Sequence, residues 1–234
     1  VTSNGIGTLG ERSLHAALKD WYAQPGDRQE VDVDGYVVDI VRGDLLIEIQ
    51  TGNFSALKRK LAALVADHPV RLVYPVVAQR WIVRVDAAGE PISRRKSPRR
   101  GRVEDLFAEL VRIPTLLAEP NFSIEVALVH TEQVLRDDGQ GSWRRKGWSV
   151  ADRRLIEVVG AARFDTPDDL VALLPETLPD PFTNRDLARA LNIRINLAQK
   201  MTYCLRKMRV IAIVGKQGNA LLHGIGDQRM EEAL

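Results

Sequence analysis

Two carboxylates stand in this chain where a sheet would ordinarily exclude charge. In residues 36–50, YVVDIVRGDLLIEIQ, Asp39 sits among Val37, Val38, Ile40 and Val41, and Glu48 sits between Ile47 and Ile49. Burying a lone carboxylate is costly unless something compensates it. Side chains alternate along a strand, so Val37, Asp39 and Val41 share one face of the first run. Leu46, Glu48 and Gln50 share one face of the second. A hairpin register can bring Asp39 beside Glu48, and a preceding helix can bring Glu11 towards the same point. Two or three carboxylates plus water suit Mg²⁺ (or Mn²⁺), a hard cation that prefers oxygen ligands. Such a centre activates water and offsets the charge that develops on a phosphodiester. The same acids on a sheet edge can also simply face water.

The elements that must position these residues follow from periodicity. Leu14, Ala17, Leu18 and Trp21 recur at helical spacing, with Glu11 on the face of Leu14 and Leu18. Pro25-Gly26-Asp27 ends that helix. Residues 30–34 suit a short strand. Arg42-Gly43-Asp44 reads as the turn of a hairpin between the two acid-bearing strands. Thr51-Gly52-Asn53 ends the second strand. A helix then carries Phe54, Leu57, Leu61, Leu64 and Val65, with Lys58, Arg59 and Lys60 beside them. Residues 71–77 read as a buried strand.

The order of Glu11, then Asp39, then Glu48-Ile49-Gln50, then a helix resembles the PD-(D/E)XK nuclease superfamily, the restriction-endonuclease-like fold. The resemblance implies a mixed β-sheet flanked by helices, with an α-β-β-β-α-β core at about residues 9–77. It implies that Asp39 and Glu48 bind the metal, with the Ile49 carbonyl as a further ligand, and that Glu11 is the acidic residue many members carry on the first helix. One position departs from the pattern. The family's usual Lys, two residues after the Glu, is Gln50 here, which neither acts as a base nor carries charge. Lys58 or Lys60 on the next helix could supply a migrated cation.

Beyond this core, residues 81–85 read as a strand. Residues 93–102, SRRKSPRRGR, hold six Lys/Arg and no acid. Dense like charge disfavours a packed core and predicts an exposed loop or hairpin. Arg94, Arg95, Lys96, Arg99 and Arg100 are therefore candidate phosphate contacts, sequence-independent and salt-dependent; a solvated surface loop is the plainer reading. A helix is expected over 103–111 and a strand over 122–129. The cluster Trp143-Arg144-Arg145-Lys146-Gly147-Trp148 can stack on bases or pack back onto the sheet. Residues 78–160 are expected to extend the sheet, giving a nuclease-like domain over 1–160.

The C-terminal third changes character. Thr166 and Thr183 each precede a capping pattern. Helices are expected after both, and a longer one over 195–208 with Ile195, Ala198, Leu205 and Met208 facing inwards. Strands over 210–214 and 220–223 flank a turn at Lys216-Gln217-Gly218-Asn219. Three helices and a hairpin resemble a small winged helix-turn-helix domain over 165–225, with a tail at 226–234. The resemblance implies that the third helix enters the major groove, exposing Arg194, Asn196, Gln199 and Lys200, and that Lys216 and Gln217 lie at the wing tip. Residues 181–223 hold eight Lys/Arg against one Asp, whereas residues 1–90 hold ten against twelve acids. A basic end of this kind faces something anionic. The whole order, an EIQT-type core, an RKSP-type loop and an FT…DLA…AQK…GN terminus, resembles a group of bacterial proteins of uncharacterised function.

Composition bounds the rest. At 45% hydrophobic and 27% charged residues, the chain of 234 residues is typical of a soluble globular protein. No apolar run is long enough for a bilayer and no basic-then-apolar leader is present, which predicts a cytoplasmic protein. A single cysteine, Cys204, excludes an internal disulfide and a Cys-rich zinc site. The four histidines show no metal-ligand spacing. Two function classes follow: a Mg²⁺-dependent endonuclease acting on duplex or branched DNA, compatible with a homodimer, and a non-catalytic DNA-binding protein built on a degenerate nuclease core.

Overall fold

The computed structural model describes residues 7–139 and 147–225, the side chains of 7–12 excepted. The fold is mixed α/β. Helix α1 (Gly7–Tyr22) leads into β1 (Arg28–Val33), β2 (Tyr36–Arg42) and β3 (Leu45–Ile49). A 3-10 turn at Phe54–Leu57 runs into α2 (Lys58–Leu64), followed by β4 (Val70–Val85) and β5 (Pro91–Lys96). A second 3-10 turn at Val103–Leu106 precedes α3 (Phe107–Leu110), then β6 (Phe122–Asp137) and β7 (Trp148–Phe164). Strands β1 to β7 form one sheet in the order β1-β2-β3-β4-β6-β7, with β5 paired to β4. Helices α4 (Asn184–Leu191) and α5 (Ile195–Lys207) and the hairpin of β8 (Ile211–Gln217) and β9 (Ala220–Ile225) complete the described chain. No helix among the described residues is long and apolar enough to cross a membrane.

The described chain divides into two compact units. One comprises residues through Thr51, Leu72–Val103 and Glu125–Ala162; the other comprises Gly52–Arg71, Glu104–Ile124 and the chain from Arg163 onward. The division is discontinuous, whereas the sequence suggests contiguous segments over 1–160 and 165–225. The helical stretches after β3 and after β5 group with the C-terminal third rather than with the strands that flank them.

In the first unit α1 lays one stripe on the sheet. Leu14, Leu18 and Tyr22 pack with Ile40, Ile47, Ile49, Val73, Ala127 and Val129. The spacing of four residues keeps the stripe on a single helix face. The buried aromatic is Tyr22, not the expected Trp21, which is 53% exposed. Tyr22 also has a polar reason to turn inwards, since its hydroxyl donates to Glu125 Oε1 at 2.6 Å. The Arg42 guanidinium then locks the helix end to β2, donating to the Tyr22 carbonyl at 2.6 Å and to both Asp27 oxygens. That bond holds the Asp27 carboxyl below its usual range.

One sequence expectation is corrected here. Residues 71–77 and 81–85 are not separate strands but parts of the 16-residue β4, which continues through Pro75. Residues 148–164, where no separate strand is expected from the sequence, form the 17-residue β7 of the same sheet.

In the second unit α5 is the central helix. It buries Ala198, Met201, Cys204 and Leu205 and packs against α3, α4 and β8. Ile195, expected inside, is 44% exposed at the first position of the helix. Cys204 is buried, and burial pushes its thiol up to about 12. The short helix after Thr166 is of the 3-10 type, Pro167–Leu173. Thr183 caps α4 with a complete capping box to Asp186, and Asn192 ends α4 in the left-handed conformation.

Candidate functional site

The β2–β3 hairpin turns at Gly43-Asp44, with Gly43 at φ +55°. Its paired residues run from Arg42↔Leu45 to Ile40↔Ile47. The next step of that register sets Asp39 opposite Glu48, and there the carboxylates engage the backbone. Glu48 Oε1 accepts from the Asp39 N–H at 3.3 Å, and Asp39 Oδ2 accepts from the Ile49 N–H at 2.9 Å. Each acid thus reaches across to the opposite strand. This is how a sheet end tolerates them: a buried carboxylate needs donors, and backbone amides supply them. Glu48 is 3% exposed, and the Asp39 side chain is 17% exposed.

A third side chain completes the group. His15 on α1 places Nε2 at 3.1 Å from Asp39 Oδ2. That hydrogen bond is the main reason the His15 pKa is raised. Burial opposes the shift, the negative charges of Asp39 and Glu48 reinforce it, and Lys19 opposes it. His15 was passed over in the sequence because the histidines have no ligand spacing. It does lie four residues after Glu11, one helical turn along the same face.

The other expected members of this group are distributed differently. Glu11 belongs to α1, but its side chain lies outside the described residues. Gln50 is half-buried directly after β3, with its N–H donating to the Val73 carbonyl of β4 at 2.9 Å. Lys58 is exposed and Lys60 half-buried on α2, in the other compact unit. Among the described residues, no group of three His, Cys, Asp or Glu side chains is arranged to hold a metal ion. The donor set that remains is two carboxylates on adjacent strands and main-chain oxygens. Those are hard donors of the type Mg²⁺ or Mn²⁺ takes, with water filling the other positions.

The basic stretch is an ordered edge. Residues 91–96 form β5, fully exposed and paired with β4 from Trp81↔Lys96 to Arg84↔Ser93. Arg94 donates to Glu132 Oε1 at 2.7 Å and lies 5.1 Å over the Trp81 ring; Lys96 lies 5.3 Å from the same ring. Arg95, Arg99 and Arg100 are exposed. The chain then returns to β4. Ser97 N–H donates to the Arg80 carbonyl at 2.8 Å, and Gly101 N–H donates to the Val77 carbonyl at 2.8 Å. A Cβ on Gly101 would meet that carbonyl oxygen at 2.6 Å, so only glycine fits this approach. Of the aromatic–basic cluster, Trp143, Arg144, Arg145 and Lys146 lie outside the described residues. Trp148 is described, with the Arg84 guanidinium 4.8 Å from its ring.

On α5, Arg194, Asn196 and Gln199 are exposed at the N-terminal end. Lys200 is not displayed with them: it is half-buried and donates to the Ala108 carbonyl at 3.3 Å. Lys216 and Gln217 are exposed beside the two-residue turn Gly218-Asn219 that joins β8 to β9.

Comparison with known proteins places these features in a lineage without naming a chemistry. An "Uncharacterized protein" of Treponema pallidum (strain Nichols) is 35% identical over 185 residues, which is 79% of this chain and 74% of the relative. No solved structure matches the chain. The family described as "Domain of unknown function (DUF8091)" matches residues 12–165, a segment that contains His15, Asp39, Glu48 and the basic edge. The chain belongs to that family.

Proposed function

We propose that this protein is a metal-dependent DNA endonuclease of the PD-(D/E)XK type, positioned on DNA by a C-terminal winged helix. One observation carries the reading. Asp39 and Glu48, far apart in side-chain chemistry from their aliphatic neighbours, meet at the open end of an antiparallel hairpin with His15 beside them. In this reading the two carboxylates and the Ile49 carbonyl hold a divalent cation, which when bound supplies Lewis acidity towards a scissile phosphate. His15 orients Asp39 through their hydrogen bond. Gln50 contributes a neutral amide where related sites carry Lys, so positive charge near the phosphate must come from other residues. The exposed Arg95, Arg99 and Arg100 suit backbone phosphates. Arg194, Asn196 and Gln199 suit base edges if α5 acts as a recognition helix, with Lys216 and Gln217 at the wing.

A second reading has its own support. Both carboxylates already accept backbone amides, so they can serve simply to close the end of the hairpin in a non-catalytic DNA-binding protein. Purified protein incubated with Mg²⁺ or Mn²⁺ and duplex, single-stranded or branched DNA separates the two. Cleavage of at least one substrate is expected. Binding without cleavage of any of them would favour the second reading.

A further inference from the structure

Trp81 on β4 is set apart by the groups around it. It is half-buried and pairs with Lys96 of β5, while Val83 pairs with Arg94. Alternation along both strands puts Trp81, Val83, Arg94 and Lys96 on one face. The Arg94 guanidinium lies 5.1 Å from the Trp81 ring centre and the Lys96 ammonium 5.3 Å. From β6, the His130 ring makes a T-shaped contact with the indole, with centroids 5.4 Å apart. His130 Nδ1 lies 2.7 Å from Glu157 Oε1 of β7, and Arg94 donates to Glu132 Oε1 of β6 at 2.7 Å. Four strands of one compact unit therefore hold this ring and its neighbours. Charge alone does not define the face, because Arg94 and Lys96 stand against Glu132 and Glu157. What it offers is an aromatic ring of fixed orientation, beside an edge strand that is exposed along its whole length.

We propose that Trp81 is a stacking platform for an unpaired base, so that the β4–β5 face takes single-stranded rather than duplex nucleic acid. A base stacks on an aromatic ring with little regard for sequence, because every base has a π-face. In a duplex that face is covered by the neighbouring bases, so a ring on a sheet reaches it only where the strand is unpaired. Cation–π contacts at an exposed edge are weak. The long Arg94 and Lys96 side chains can therefore swing from the ring to the phosphates on either side of the base. The exposed Arg99 and Arg100 follow in the chain for further phosphates. This role rests on the nucleic-acid reading above, for which it names the form of the strand; it does not rest on the cleavage centre.

The test is fluorescence anisotropy with the whole chain in EDTA, which removes divalent cations and with them any cleavage. The labelled probes, equal in length, are an unstructured single-stranded oligonucleotide, its duplex, and an abasic strand with the same phosphates. Wild type is expected to bind the single strand about tenfold or more tighter than the abasic strand. Trp81→Ala is expected to lose about that factor for the single strand and to leave duplex binding unchanged. Trp81→Phe, which keeps a ring, should retain most of it. Equal binding of base-bearing and abasic strands by wild type overturns the proposal, and that comparison needs no variant to fold. A Trp81→Ala protein, shown folded by thermal melting, that binds the single strand as wild type does, or that loses duplex binding equally, overturns it too. So does displacement of the single strand by a polyglutamate peptide of equal charge as effectively as by unlabelled oligonucleotide, which would mark a face that reads charge alone. Cleavage is measured separately. Loss of the platform leaves the carboxylate reading standing, and absence of cleavage leaves Trp81-dependent binding standing.

Discussion

His15 ties the carboxylate pair to the helix in front of it, and its titration reports that tie. Its pKa is raised, chiefly by the bond to Asp39. A raised folded value means that His15 stabilises the fold fully below the unfolded pKa of about 6.5 and that this contribution fades as pH rises through the folded value. NMR titration should place the wild-type His15 above about 6.5, and Asp39→Asn should bring it back down. An unchanged pKa in that variant would remove Asp39 as the cause. His223 behaves in the opposite sense. It is 1% exposed, with neither ring nitrogen hydrogen-bonded among the described residues. Burial first and Arg206 second push its pKa down. Its stabilising effect is therefore complete above about pH 6.5 and is lost as pH falls towards the folded value. Melting curves between about pH 7.5 and about pH 5 should show a steeper fall for wild type than for His223→Phe, which keeps an aromatic beside Phe182. Equal slopes would contradict this.

At the scale of elements, the basic edge depends on one close approach. Gly101→Ala would drive a Cβ against the Val77 carbonyl and Val76 Cγ1, at 2.6 and 2.8 Å. A cost of about 1–3 kcal/mol in urea unfolding is expected, the range for overpacking; a neutral result would mean that the stretch shifts freely. The β2–β3 hairpin was legible in the sequence because apolar runs flank a turn with glycine, and because period two sets Asp39 and Glu48 in phase. The caps at Thr183 and Asn192 were legible for the same local reasons. What escaped was non-local. The sequence around Pro75 and Gln79-Arg80 looks like a break, yet β4 runs through it. Strand β7 alternates half-buried with exposed positions rather than presenting an apolar run. His15 could be seen on the right helix, but its partner is set by how that helix lies on the sheet. Trp21 and Tyr22 differ by one position, and the hydroxyl bond to Glu125 is invisible before folding.

For the whole molecule, the proposed backbone contacts to DNA can be tested one residue at a time. Arg95, Arg99 and Arg100 are exposed cations on or after the edge strand, and backbone contacts release counterions. Replacing any one by Gln should weaken DNA binding similarly across sequences and reduce the salt slope by about 1. An unchanged slope would take that residue out of the interface. The central claim is that Asp39 and Glu48 form a cleavage centre rather than a structural closure. Asp39→Asn and Glu48→Gln separate these roles, because each amide keeps an oxygen able to accept the Ile49 or Asp39 N–H. The decisive measurement is the DNA cleavage rate of both variants beside wild type in Mg²⁺ or Mn²⁺, with folding checked by thermal melting. The account expects folded variants whose rates fall by about a hundredfold or more, since removing a metal-holding charge costs several kcal/mol in the transition state. Folded variants that cut as fast as wild type would contradict it.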